Sequence, residues 1–205
     1  MGRQREFDVE KVLDAALCVF WRKGYEGTSY ADLVEAAGVE RPALYSAFGN
    51  KEALFRKALA RYDQQYLDYI PEALQLPTAR EVAAQLMHKA VELNTRYRDR
   101  TGCLGINGAL AGSDDAEPVR QALIEFREAG RQRLRERFER ARAEGDLPET
   151  AKPDALAAFV MTVTQGIAVQ AKAGVSREVL ETVAEQALSA LPSRRPPSAK
   201  EDHDV

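Results

Sequence analysis

T-S-Y-A-D-L-V-E-A-A-G-V-E-R-P-A-L-Y-S-A-F-G-N-K, residues 28–51, packs the start and stop signals of three short helices into two dozen positions. Ser29 followed by Asp32 is a capping-box pattern, in which the hydroxyl takes a free amide and the carboxylate reaches back. Leu33, Val34, Ala36 and Ala37 supply about two turns of apolar face, and Gly38 offers the left-handed position that ends a helix. A second helix restarts with Pro42 in its first turn, where the missing amide costs nothing. Leu44 and Phe48, four apart, mark its buried side. Gly49 stops it, and Asn50 can cap a third helix beginning at Lys51. Helix, glycine turn, helix is the arrangement in which the second helix can lie in a DNA major groove.

The whole chain sets bounds on that reading. Its 205 residues suffice for one sizeable domain or a small one joined to a larger one. With 45% hydrophobic and 30% charged residues and a mean hydropathy of −0.41, it has the composition of a soluble globular protein. No run of about 18 apolar residues predicts a membrane span. The charged start, M-G-R-Q-R-E-F-D, carries no secretory pattern, so cytoplasmic residence is the expectation. Two cysteines, Cys18 and Cys103, are too few for a disulfide framework. The net charge of −3 excludes a uniformly basic coat, and residues 1–57 hold nine Lys/Arg against nine Asp/Glu. Any contact with DNA must come from local placement of charge.

Outward from residues 28–51, hydrophobic spacing predicts helices throughout and no strand. Val9, Leu13, Ala16, Leu17 and Phe20 mark a helix over 8–23, with Cys18 about 140° round from Leu13. A long fourth helix is expected over 51–74, carrying Tyr62, Tyr66 and Tyr69. A fifth follows over 80–98. The glycine-rich segment 101–110 predicts a short, buried helix or turn. Residues 115–143 form the longest amphipathic element, and helices over 153–173 and 176–190 complete about nine. The helix at 153–173 has no charge from Ala155 to Ala171, so it must be covered on several sides, and a partner subunit is the expected cover. Residues 191–205 predict a disordered tail.

With that order laid out, the chain resembles the TetR family of transcriptional repressors. The resemblance rests on residues 28–55, preceded by F-W-R-K-G-Y-E-G, and covers roughly residues 7–56. G-R-Q-R-E-F-D, A-F-G-N-K-E-A-L-F and G-C-L-G-I-N at 102–107 further resemble a cysteine-bearing branch with a G-C-L-x-x-N segment. The resemblance implies an all-α homodimer with a three-helix DNA-binding domain at 1–51 and a ligand-binding and dimerisation domain at 52–190. The helices at 153–173 and 176–190 would pair between subunits. With two histidines, one of them in the tail, no His/Cys metal cluster stands out, and neither a cofactor nor catalysis is expected.

The resemblance also implies that Ser29, Tyr30, Arg41, Pro42, Ala43, Tyr45, Ser46 and Lys51 meet the operator. Elementary chemistry agrees for several. Arg41 near a helix N-terminus can fork two bonds onto guanine O6 and N7. Tyr45 can donate to a phosphate, and Lys51 stands at a helix N-terminus that favours an anion. The bland readings are a core aromatic for Tyr45 and solvated charges for Arg41 and Lys51. Ser46 and Ala47 stand where bulky aromatics or histidine are common in the family, which shifts base reading towards Arg41. Arg3 and Arg5 form either a flexible arm on DNA or a frayed terminus.

Tyr62, Tyr66, Met87, His88, Asn94 and Asn107 are candidates to line an inducer pocket, with ordinary packing as the alternative for each. Cys103 is either a small buried hydrophobe or a sensing thiol, and the latter needs a nearby cation or helix N-terminus. The functional expectation is a ligand- or stress-responsive repressor that binds a palindromic operator as a homodimer and is released by a small molecule or electrophile. An activator of the same fold is the alternative, and a cysteine-dependent enzyme using Cys103 is the rival of another class.

Overall fold

A computed structural model describes residues 8–107, 113 and 116–192, the side chain of Asn107 excepted. Among these residues the chain forms ten helices and no strand. Arg3, Arg5 and residues 193–205 of the expected tail lie outside the described residues.

Helix α1 (Val9–Lys23) is capped by Asp8, whose carboxylate accepts from the Lys11 amide. Helix α2 (Tyr30–Ala37) opens with a complete capping box: Ser29 Oγ accepts from the Asp32 amide at 3.1 Å, and Asp32 accepts from the Ser29 amide at 2.9 Å. Gly38 ends it at φ 64°, a left-handed backbone that a side chain would strain. Helix α3 (Arg41–Phe48) buries Leu44 and Phe48. Helix α4 (Lys51–Tyr66) is capped by Asn50.

The expected single helix over 51–74 is two helices. Helix α4 stops before Leu67, and a short α5 (Tyr69–Ala73) follows. Pro71 is the cause: it has no amide for the Leu67 carbonyl, and its ring would clash with that group. The Leu67 carbonyl instead accepts from Ile70 at 3.0 Å, one residue earlier. This break raises the count from nine to ten. Helix α6 (Ala79–Arg96) has its own capping box from Thr78 and Glu81. Helix α7 (Leu104–Asn107) is the short element expected in the glycine-rich segment, and α8 (Glu117–Ala143), α9 (Pro153–Lys172) and α10 (Arg177–Ser189) close the order.

Two hydrophobic clusters organise these helices. The first joins α1, α2, α3 and α4 around Phe20, Trp21, Phe48, Phe55 and Tyr62, and extends to Leu93, Leu104 and Leu123. It therefore runs through α4 as far as Tyr62 and onto the first turns of α8. The second lies among α6, α8, α9 and α10 and is rich in alanine. Arg137, 5% exposed, ties α8 to the α5–α6 connection by donating to the carbonyls of Leu76 and Pro77 at 2.7 and 2.9 Å.

Helix α9 packs against α6, α8 and α10. Its 20 residues are long and apolar enough to cross a membrane by length and composition. Its inner face is nonetheless committed to the core through Ala157, Val160, Ile167, Ala168 and Ala171. Its outer face leaves Phe159 and Val169 exposed, and α10 leaves Val179 and Val183 exposed beside it.

Candidate functional site

The outward face of the α2–α3 unit is built around one cation and two rings. Tyr30 opens α2 and Tyr45 lies at mid-α3, and their rings stack with centroids 5.0 Å apart and planes 25° from parallel. The Arg41 guanidinium lies 4.4 Å from the Tyr30 ring centroid and donates to the Tyr45 hydroxyl at 3.3 Å. Stacking and this hydrogen bond restrain the planar guanidinium before any ligand arrives, reducing the entropy lost on contact. The hydrogen bond from Arg41 pulls the Tyr45 hydroxyl below its ordinary pKa of 10.0, while partial burial pushes Tyr30 above it. Ser29, Arg41, Pro42, Tyr45 and Ser46 are exposed on this face, and Tyr30, Ala43 and Lys51 are half-buried.

Lys51 is less open than its position suggested. Its amide donates to the Tyr30 hydroxyl at 3.0 Å, and the Asn50 side chain takes the Ala53 amide at 2.8 Å. Two amides of the α4 N-terminus are thus used inside the protein. The Lys51 ammonium lies 4.4 Å from the Tyr25 ring centroid, and burial lowers its pKa. Tyr30 is therefore a strut between α2, α3 and α4 as much as a surface group. Nothing in the spacing of the sequence signalled the Tyr25 platform or this strut, because both depend on how the three helices cross.

A second concavity opens in the larger half, a cavity of about 110 Å³. Leu67, Ile70, Leu86, Phe126, Val160 and Met161 give it apolar walls; polar side chains on its lining include Asp63, Asn94, Arg127, Arg133 and Gln165. Of the six residues proposed from sequence to line a pocket, Asn94 lies on this wall. Tyr62 is fully buried against Trp21, Tyr66 packs on the same indole, and Met87 is buried in the alanine-rich core. His88 points away, pairing with Glu185 of α10 at 3.1 Å. The side chain of Asn107 lies outside the described residues. Helical spacing placed these groups on inward faces; which inward face meets the void depends on the break at Leu67 and on the path of α8.

Cys103 lines the cavity, and its sulfur accepts from the Tyr62 hydroxyl at 3.4 Å. Burial raises the thiol pKa; the Tyr62 bond, the amides of Gly105 and Ile106 and the Arg127 charge only partly oppose it. Such a thiol rests neutral, unlike the lowered thiols that act as ready nucleophiles. Arg127, the nearby cation, donates to the Gly105 carbonyl at 3.1 Å. Among the described residues no group of three or more His, Cys, Asp or Glu side chains is placed to hold a metal ion.

Known proteins share this fold. A family model described as bacterial regulatory proteins, tetR family, matches residues 12–58, and one described as tetracyclin repressor-like, C-terminal domain, matches residues 83–187. The HTH-type transcriptional repressor ComR of Escherichia coli (strain K12) is 34% identical over 195 residues, spanning 93% of this chain and 92% of that protein. BdcR, an HTH-type transcriptional repressor of the same strain, is 30% identical over 191 residues, with coverage of 93% and 92%. Among solved structures, a cysteine mutant of the TetR family transcriptional regulator CifR, complexed with 26 bp double-strand operator DNA, is 44% identical. It aligns with 93% of this chain and 100% of that one at a TM-score of 0.88.

Proposed function

This chain belongs to the TetR family of bacterial transcriptional regulators, and from that premise we propose a homodimeric repressor whose two α3 helices read one operator and whose cavity takes the releasing ligand. The observation that carries the reading is the preorganised Arg41 guanidinium, stacked over Tyr30 and bonded to Tyr45 on an exposed helix face. Arg41 forks onto a guanine edge in the major groove, while Tyr45, Ser29, Tyr30, Ser46 and Lys51 contact the backbone and Pro42 and Ala43 keep the approach close. That the 44% identical CifR is solved in complex with operator DNA supports DNA binding by this chain.

Dimerisation is supported by the outer faces of α9 and α10. On α9 the exposed positions Ala155, Phe159, Thr162, Gly166 and Val169, and the C-cap Ala173, recur every three or four residues. On α10 Val179, Val183 and Gln186, and the C-cap Ala190, do the same. Two such stripes per subunit form a four-helix seam of the coiled-coil kind. The reading head is then residues 1–51 and the ligand-binding and dimerising part residues 52–190, acting in the cytoplasm.

The cavity's walls favour a small, uncharged, largely apolar molecule. Moving an operator-competent equilibrium from 1:99 to 99:1 requires about 5.5 kcal/mol of preference for one state. A cysteine-dependent enzyme has little support, because Cys103 is a neutral thiol bonded by Tyr62. Selection of bound fragments from random DNA tests the whole reading. The expected product is a near-palindrome with half-sites about 34–36 Å apart; an asymmetric site, or none, sinks it. A footprint overlapping a promoter favours repression over activation.

A further inference from the structure

The wall of the cavity at Cys103, Gly105 and Ile106 is the inner side of a turn whose outer side is bonded to the reading head. The Trp21 indole of α1 donates to the Gly102 carbonyl at 2.6 Å, inside the protein. The Tyr62 hydroxyl of α4 donates to the Cys103 sulfur at 3.4 Å. We infer that the Gly102–Ile106 turn couples the cavity to the head, with Trp21 and Tyr62 as the positioning residues that pass its movement to α1 and α4. This rests on the reading of the cavity as the ligand site.

The turn has little slack in other directions. The Gly102 amide donates to the Asn94 carbonyl of α6 at 3.1 Å, and Arg127 of α8 donates to the Gly105 carbonyl at 3.1 Å. A Cβ on Gly105 would stand 3.0 Å from the Phe126 ring, so the turn already touches α8. Gly102 holds φ 79°, which a side chain would resist. A molecule that enlarges the cavity at Cys103 therefore pushes the turn towards the head. Trp21 is fully buried, its ring edge-on to Tyr62 and Tyr66 with centroids 4.8 Å away in each case. A buried carbonyl that loses its donor has no water to replace it, so the indole follows the turn or the bond is forfeited at a cost. That cost favours the indole following the turn, which changes how α1 sits under α2 and α4, and hence the pose of α3.

The alternative route is α4 itself, which reaches the cavity at Asp63 and at its C-cap, Leu67. Trp21→Phe separates the two routes, since it removes the indole donor while keeping an aromatic ring against Tyr62 and Tyr66 and every residue of α4. Tyr62→Phe is the milder second variant, because it loses only a hydroxyl. The full-length chain, carrying Cys18→Ala, is treated with methyl methanethiolsulfonate. The Cys103 thiolate forms a disulfide to the methylthio group and methanesulfinate departs. Intact mass confirms one adduct, and dithiothreitol reverses it. Affinity for the selected operator is then read by fluorescence anisotropy.

With Trp21 present, the adduct should weaken operator binding about tenfold or more, within the roughly 5–150-fold span of allosteric coupling. In Trp21→Phe the same adduct should change affinity less than about threefold, and Tyr62→Phe should fall between. Equal loss in all three, or no loss in the fully modified parent, overturns the inference. If the buried thiol resists the reagent, Gly105→Ala displaces the same turn. Its operator affinity should fall, and Trp21→Phe in that background should restore it; no fall, or a fall without restoration, overturns the inference. The underlying reading fails differently. A panel of uncharged organic compounds that neither bind nor release the unmodified protein tells against the cavity as the ligand site. Release of Trp21→Phe as readily as the parent leaves the cavity standing and removes the coupling route.

Discussion

The two hydrophobic clusters of this chain are filled by different means. The head cluster has nineteen buried residues, five of them aromatic and only two alanine. The body cluster has twenty-one, ten of them alanine and only Phe138 aromatic. In the head, Phe20, Tyr25 and Phe55 meet edge-on or stacked, with centroids 5.1–6.3 Å apart, and Leu17, Leu33, Leu44 and Leu54 close the gaps. Large rings with few rotamers allow one way to pack, so the pose of α3 is tightly determined. In the body, alanines let α6, α9 and α10 approach closely but fill little space, and a cavity remains beside them. Reading a base edge needs a fixed surface, whereas admitting a ligand needs room and a wall that yields.

The contrast breaks most visibly if the cores respond alike to truncation. Phe55→Ala, in a ring cluster with 0% exposure, should cost about 3–5 kcal/mol in denaturant unfolding. Leu134→Ala should fall near the lower end of the roughly 2–5 kcal/mol range for buried leucine, because its side chain already borders the cavity and has fewer contacts to lose. Both are compared at one protein concentration, since the stability of the proposed dimer would depend on it. Equal losses would mean that the cavity is not a soft spot.

How much of this was legible in the sequence follows the same division. In the head, Ser29 and Asp32, Gly38, Pro42, Gly49 and Asn50 are local signals, each deciding one helix end, and the helices appear where those signals place them. The all-helical class and the family were readable from the same stretch. In the body, one helix was expected over 51–74, but Pro71 inside that span leaves the Leu67 carbonyl without its helical donor and ends α4 there. The cavity was not legible, because a void is set by how α5, α6, α8 and α9 cross. Spacing told that Tyr62 and Met87 face inward, and could not tell that they meet rings and alanines while Ile70, Phe126 and Met161 meet the space. The bond from Trp21 to Gly102 joins residues 81 positions apart and left no local trace.

If the head is a rigid reader, removing its outermost cation should cost recognition and little else. Arg41→Ala should lose about 1–3 kcal/mol of operator affinity and relax discrimination at one base position. Its folding stability should change by less than about 0.5 kcal/mol, because the side chain is exposed. Anisotropy on operators with single substitutions reads the first effect and denaturant unfolding the second. A uniform loss across all sequences would reassign Arg41 to backbone contact. A large loss of stability would mean that its contacts with Tyr30 and Tyr45 hold α2 against α3.

The smallest effect concerns how firmly the head is closed at its surface. The Lys23 ammonium at 2.6 Å, with the Ser29 amide and hydroxyl, draws the Asp32 carboxyl from an ordinary value of 3.8 down to about 2. A carboxyl depressed on folding stabilises the native state while it is ionised, so its contribution is present above about pH 4 and is lost as pH falls through about 2. Solvent screens this surface group, so its share of the acid sensitivity is modest. Trp21, the single tryptophan, lies inside the head cluster and reports that region by fluorescence. Asp32→Asn should flatten the pH dependence of unfolding in that window and leave the higher-pH limb parallel to the parent. An unchanged profile would mean that the capping box and the Lys23 pair form only as the head meets DNA, and the contrast between a fixed reader and a yielding body would then hold only for the bound state.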